Sequence, residues 1–234
     1  MTNQVKGGFT MEDNTQAVQA LSKKDEAYVR IKDRIISGEY KPGSLLVERT
    51  LSDSLDMSRT PIRAALMDLC HTGLATFVPG KGIYVSVIGR RDIEEIYEIR
   101  ALLDPAVLLS FMKQATRDQI AMLRTFADNM RDAVRMENTG MLIENDVNFH
   151  QYYTDYCGNA RLADIICSTV DPFHRFRYIT SSSMKMNRVF VEEHLLIMKA
   201  IEDNDQAEAE LQMKAHYSHL KRYLIQKLTS EGQL

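Results

Sequence analysis

The chain lacks any apolar run approaching the roughly 18 to 20 residues that a membrane-spanning helix needs. Its first residues, MTNQVKGGFTMEDNTQ, have neither an apolar core nor a small-residue cleavage site. No signal peptide is therefore expected, and the expected address is the cytoplasm. Cysteine is scarce: Cys70, Cys157 and Cys167 form an odd set with no C-x-x-C spacing, which argues against redox pairs and for small buried hydrophobes. There is no internal repeat and no low-complexity segment, and after Gly89 no strand-like alternation of useful length. A net charge of -3 gives no sign of nucleic acid by itself. Divided, the chain is more informative: residues 22–88 carry ten Lys/Arg against eight Asp/Glu, and residues 89–234 carry eighteen against twenty-two. A slightly basic front and an acidic rear suit a DNA-binding front, without establishing one.

What the chain does contain is an ordered series of local signals. Residues 1–21 are polar and aperiodic and read as a flexible tail. A helix begins at Ser22, with Ala27, Tyr28, Ile31, Ile35 and Ile36 at helical spacing, and Gly38 and Pro42-Gly43 end it. Glu48 to Leu55 is a short second helix with Leu51 and Leu55 one turn apart. After a tight break at Asp56-Met57-Ser58, a third helix starts with Ser58 as cap and Pro61 in the first turn, where its missing N–H costs nothing. Ile62, Leu66 and Leu69 make its buried stripe, while Thr60, Arg63, Ala64 and Met67 face outward. Two short strands, Ala75–Val78 and Ile83–Val87, flank a glycine-bounded turn around Lys81. The order is helix, turn, helix, wing.

A helix fits the major groove, and the residues near its N-terminus meet bases and phosphates. Here they are Ser58, Arg59, Thr60 and Arg63, with Arg49 at the start of the preceding helix and Gly80-Lys81-Gly82 at the wing tip. Arginine's planar fork matches guanine or phosphate, and the small wing tip suits a minor groove. The segments ERTLSDSLDMSRTPIRAAL and TGLATFVPGKGIYVS resemble the winged helix-turn-helix of the GntR family of bacterial transcription regulators. Met57, where valine is usual, and Ala64, where glutamate is common, are the departures. The resemblance implies DNA contacts at Arg49, Ser58, Arg59, Thr60, Arg63 and the Gly80–Gly82 wing.

Beyond a linker at 89–92, residues 93–230 read as an all-α bundle of six helices, at about 92–113, 116–136, 139–157, 160–180, 187–203 and 205–229. Asp146 and His150 lie one turn apart within the apolar stripe of Leu142, Phe149, Tyr153 and Cys157. A carboxylate there needs a partner. His194 sits in the stripe of Val191, Leu195 and Met198, and His216 borders that of Met213, Tyr217, Leu220 and Leu224. One carboxylate and three imidazoles facing inward from three helices suit zinc first, with nickel, iron or manganese as alternatives. His219, one turn beyond His216, and His174 are weaker candidates.

This region resembles the FCD domain, the effector-binding domain of FadR-type GntR regulators, many of which take a metal on Asp-x-x-x-His and two later histidines. The resemblance implies Asp146, His150, His194 and His216 as ligands. It also implies Arg100 as an effector contact near the cavity, against a plain salt bridge to Asp104 at i+4. The function implied is a homodimeric cytoplasmic, nucleoid-associated bacterial regulator with no membrane association and no enzymatic role. It would bind a palindromic operator in double-stranded DNA, with its affinity set by a small organic acid, such as a sugar acid, beside the metal. Two other readings stand beside it: a metal-dependent enzyme activating water, and a regulator for which the metal itself is the signal.

Overall fold

The structure, a computed structural model, describes residues 22–234. The segment expected to be a flexible tail, residues 1–21, lies outside the described residues.

Helix α1 (Lys23–Ile36) opens where the Ser22 hydroxyl accepts the Asp25 N–H at 3.2 Å, and it buries Ala27, Ile31 and Ile35. Helix α2 (Glu48–Leu55) ends at Asp56, whose left-handed φ of 53° turns the chain sharply into α3 (Arg59–His71). Helices α1 and α2 pack on α3, which buries Ile62, Ala65, Leu66 and Leu69. Of these, each of the isoleucine and leucine side chains contributes about 1.5–3 kcal/mol on burial. Strands β1 (Ala75–Val78) and β2 (Gly82–Val85) pair antiparallel, Ala75 opposite Val85 and Val78 opposite Gly82. The tip between them requires positive φ at Gly80 (74°) and Gly82 (115°), a region that L side chains avoid. The second strand runs Gly82–Val85 rather than the expected Ile83–Val87: Gly82 pairs with Val78, and the regular ladder ends where Val85 meets Ala75, the first residue of β1. Its other edge is covered by residues 43–46, through Gly43 N–H to the Val85 carbonyl at 2.8 Å and Leu46 N–H to that of Ile83 at 2.8 Å.

Seven helices follow among the described residues: α4 (Arg90–Met112), α5 (Arg117–Arg135), α6 (Thr139–Asp155), α7 (Ala160–Cys167), α8 (Val170–Thr180), α9 (Met184–Glu202) and α10 (Gln206–Ser230). Of the expected linker, Gly89 precedes α4 and residues 90–92 already belong to it. The single helix expected over 160–180 is two. The hydroxyls of Ser168 and Thr169 bond back to the carbonyls of Ile165 (2.6 Å) and Ile166 (2.7 Å) and end α7 there. In the bundle α4 lies along α10, α10 packs on α9, α9 on α5, and α5 on α6. The apolar core is in two clusters, one within residues 27–85 and one within 93–228. Of the cysteines only Cys157 is buried; Cys70 is half-buried and Cys167, the last residue of α7, is exposed, so the expectation of small buried hydrophobes fails for Cys167.

Candidate metal centre and nucleic-acid interface

Helices α6, α9 and α10 bring His150, His194 and His216 together at the centre of the bundle, all buried. One ring nitrogen of each lies within 4.8 Å of the others. His150 Nε2 is 3.1 Å from His194 Nε2. The opposite nitrogen of each ring is occupied from behind. His194 Nδ1 donates to the Phe190 carbonyl at 2.7 Å, His216 Nδ1 meets Glu193 Oε2 at 2.8 Å, and His150 Nδ1 meets the Tyr153 hydroxyl at 2.8 Å. Such partners orient a ring, select its tautomer and raise its basicity as a ligand. Burial, then the charge of Arg177, pushes the His150 pKa well down. Burial, then His194, lowers that of His216. Both are therefore neutral near pH 7, the form that binds metal.

Asp146 is close to two of the three: its Oδ1 is 3.0 Å from His194 Nε2 and 3.8 Å from His150 Nε2. Its other oxygen, Oδ2, is held by Arg177 Nε. Burial opposes ionisation of Asp146, but Arg177 and the bond to His194 outweigh it and hold its pKa well below the ordinary carboxylate value. Three imidazoles, two of them held neutral, with one ionised carboxylate alongside fit a divalent transition metal.

Arg177 is the residue that sequence reasoning missed. It lies on α8, buried, over the Phe173 ring at 4.9 Å, and its Nη2 is buried without a hydrogen-bond partner. The signal available in the sequence is the segment Phe173-His174-Arg175-Phe176-Arg177, two arginines amid aromatics. His174 is half-buried and is not among the residues lining the cavity. His219 joins Glu193 through Nδ1, so this one carboxylate backs two histidines from the adjacent helix.

Arg100 stands one layer behind. It is buried, with Nε 2.6 Å from Asp104 Oδ2 in an ionic contact without hydrogen-bond alignment. Its fork also reaches Thr169 Oγ1 (3.4 Å) and the Tyr217 hydroxyl (3.3 Å). Asp104 Oδ1 accepts from the Tyr153 hydroxyl at 3.0 Å, which in turn holds His150. A chain thus runs from Arg100 through Asp104 and Tyr153 to His150. The cavity itself, lined by Asp146, His150, Arg177, Asn187, His194 and His216 among others, is about 30 Å³. That is room for an ion and one or two waters.

The depressed histidine pKa values have a consequence for stability. An unfolded histidine gains its proton as pH falls through about 6.5, whereas buried His150 and His216 resist it. The unfolded state then binds more protons, so stability present above pH 6.5 is lost below it. The metal-free protein is expected to melt progressively lower from pH 7 to pH 5; a flat melting temperature across that window would show that these rings are not buried neutral.

At the other end of the chain, the N-terminus of α3 lies open. Ser58 has cap geometry (φ -69°, ψ 160°), but its hydroxyl makes no capping bond, contrary to expectation. The first-turn N–H groups thus lack a side-chain cap and suit an incoming phosphate. Arg59 and Thr60 are exposed beside them. Arg63 is also exposed, yet engaged: its Nε and Nη2 donate to the two oxygens of Glu48 at 2.8 Å each. Arg49 is exposed, 4.0 Å from Asp53. Gly80 and Lys81 are exposed at the wing tip and Gly82 is half-buried.

The model of the bacterial regulatory proteins of the gntR family matches residues 23–85, and that of the FCD domain matches residues 95–219. The chain belongs to the GntR family and carries an FCD domain. Relatives of this GntR regulator include the Nta operon transcriptional regulator of Aminobacter aminovorans, 27% identical over 77% of this chain and 84% of that protein. The transcriptional repressor RspR of Escherichia coli K12 is 24% identical over 93% of this chain and 95% of its own length. Among solved structures, E. coli McbR/YncC shares the fold with a TM-score of 0.77 at 20% identity, covering 88% of this chain and 99% of that one. This GntR regulator is thus a DNA-binding transcriptional regulator and not an enzyme. Among the described residues no helix is long and apolar enough to cross a membrane.

Proposed function

We propose that this regulator binds a palindromic operator as a homodimer and that a small organic acid, seated beside a metal in the helical domain, sets its operator affinity. The observation that carries the reading is the convergence of His150, His194 and His216 on one point, each backed at its other nitrogen. A metal on these rings and Asp146, zinc first, would supply open coordination positions for a carboxylate or hydroxyl. Arg177, with its unsatisfied Nη2 in the same cavity, is the residue we assign to the acid's carboxylate. Arg100 is given the supporting role of holding Asp104 and, through Tyr153, His150. We place the boundary between reader and bundle at residues 89–92, and the protein in the bacterial cytoplasm, associated with the nucleoid. The partner copy is assigned to the α4–α10 groove, where Leu102 is 65% exposed beside Ala101 and Ile225.

A cavity of about 30 Å³ is too small for a sugar acid, so the acid must displace a wall. Helix α8 is that wall: Phe173 and Arg177 line the cavity while the helix touches α1 of the reader. An effector shifts the arrangement only by binding one state better than the other. The sign we propose is repression relieved by the acid, as RspR is a repressor. Titration of metal-loaded protein with a panel of organic acids, read by thermal shift and by operator binding, tests this. At least one acid is expected to stabilise the protein and weaken operator binding, with a tenfold or greater affinity loss in Arg177→Ala. If chelation alone abolishes the DNA response and no acid binds, the metal is the signal and the effector reading is wrong.

A further inference from the structure

A second cleft, of about 650 Å³, lies between the winged domain and the bundle. That volume is in the ordinary range for a small-molecule site, on the order of 300–1,000 Å³. Its floor on the bundle side is Arg175 and Phe176 of α8; the facing wall includes Thr76, Phe77 and Val87 of the winged domain. Arg175 is 5% exposed, yet among the described residues it makes no hydrogen bond and no ion pair. Of the two acids lining the cleft, Glu95 is paired with Arg91, and Asp92 acts on Arg175 through its charge without an ion-pair contact. Asp92 Oδ2 accepts the Gly89 N–H at 2.8 Å, and Glu95 accepts from Arg91 Nε at 2.6 Å. The Arg175 guanidinium nitrogens are not among the side-chain atoms sealed from solvent, so they open on the cleft, and a largely desolvated cation there gains when an anion meets it. Around it the walls are apolar and wet: Phe77 is 55% and Val87 64% exposed, large side chains with nothing packed over them. The hydroxyls of Thr76 and Ser86, 2.9 Å apart, supply further polar contacts on the wing side.

We propose that this cleft is a second ligand site, for a small anion, carboxylate or phosphate monoester, whose charged head pairs with Arg175 and whose apolar body covers Phe77 and Val87. Desolvation lowers the Arg175 pKa to about 10, with Asp92 the only opposing charge, consistent with a guanidinium that lacks a partner. The site stands on the opposite side of α8 from the metal cavity and does not rest on the metal reading. A ligand there would tie α8 to the wing and so bias the orientation of the reader. Arg175 and Arg177, two residues apart, would give one helix a charged contact with each of two ligands.

The test uses the full chain with a chelator present throughout, which removes any metal from the other cavity, and Arg177→Met serves as the control for carboxylate binding there. Benzoate and phenyl phosphate serve as carboxylate and phosphate probes, with binding measured by calorimetry. Saturable binding of at least one probe is expected, weakened tenfold or more in Arg175→Met. Preference between the probes tells carboxylate from phosphate. A second measurement separates binding from folding: without probe, Arg175→Met is expected to melt no lower than the parent, because it removes an unpaired charge and keeps the bulk. Binding of neither probe, equal binding by Arg175→Met, or a melting temperature several degrees lower in that variant would each overturn the proposal.

Discussion

Replacing His150 or His194 with alanine is expected to abolish stoichiometric metal binding. Each ring contributes the nitrogen that faces the common centre, and no other described side chain stands ready to replace it. Loss of an outer hydrogen-bond partner alone costs roughly 10- to 100-fold in metal affinity. Loss of a ligand is expected to exceed that. Glu193→Gln provides the graded comparison, since Glu193 backs His216 and His219 without facing the centre. It should fall in that lower range while His150→Ala and His194→Ala lose the metal. Elemental analysis after identical zinc loading and desalting decides the matter, with circular dichroism confirming that the bundle is intact. Full occupancy in both alanine variants would remove the site from this cavity. Asp146→Asn then asks whether the carboxylate binds metal or serves only Arg177, the cation that Asp146 Oδ2 already holds.

Arg59→Ala and Arg63→Ala should each weaken operator binding by about 5- to 150-fold at fixed salt, the 1–3 kcal/mol range of a good base-edge contact. Arg63 carries an additional consequence. In the free protein its fork is matched by Glu48, and that ion pair is largely exposed, so it contributes little to stability. Its role is orientation: Glu48 holds the guanidinium at the face of α3. Removing Arg63 leaves the Glu48 carboxylate facing DNA without a cation, which adds repulsion to the lost contact. Arg63→Ala is therefore expected to be the worse of the two, and Glu48→Ala in the same background to recover part of the loss. Unchanged operator affinity in both arginine variants, measured by fluorescence anisotropy at one salt concentration, would sink the assignment of α3 as the reading helix.

The winged reader was legible because every signal in it is local. Pro61 fits only a first helical turn, Gly80 and Gly82 supply φ values that other residues avoid, and the stripe of Ile62, Leu66 and Leu69 needs no knowledge of its partner. Periodicity likewise showed that Asp146, His150, His194 and His216 face inward, and three of these meet at one point. It could not say what they meet. Burial by periodicity is a property of one helix, whereas contact depends on the rotation and depth at which two helices pack, set by side chains far apart in sequence. Arg100 illustrates the difference: the Asp104 partner was visible at i+4, but Tyr217, 117 positions away, was not. The break between α7 and α8 turns on two hydroxyls folding back on the chain, a choice open to any serine or threonine in a helix and made here where Thr169 also meets Arg100. That break frees α8 to take its own direction. With it, Arg177 enters the metal cavity and Arg175 the cleft under the wing. The sequence by itself determined a DNA reader joined to a helical bundle with inward histidines. Only the tertiary structure decided which carboxylates and arginines stand against them, because an ion pair between helices exists only once their packing has brought its two ends together.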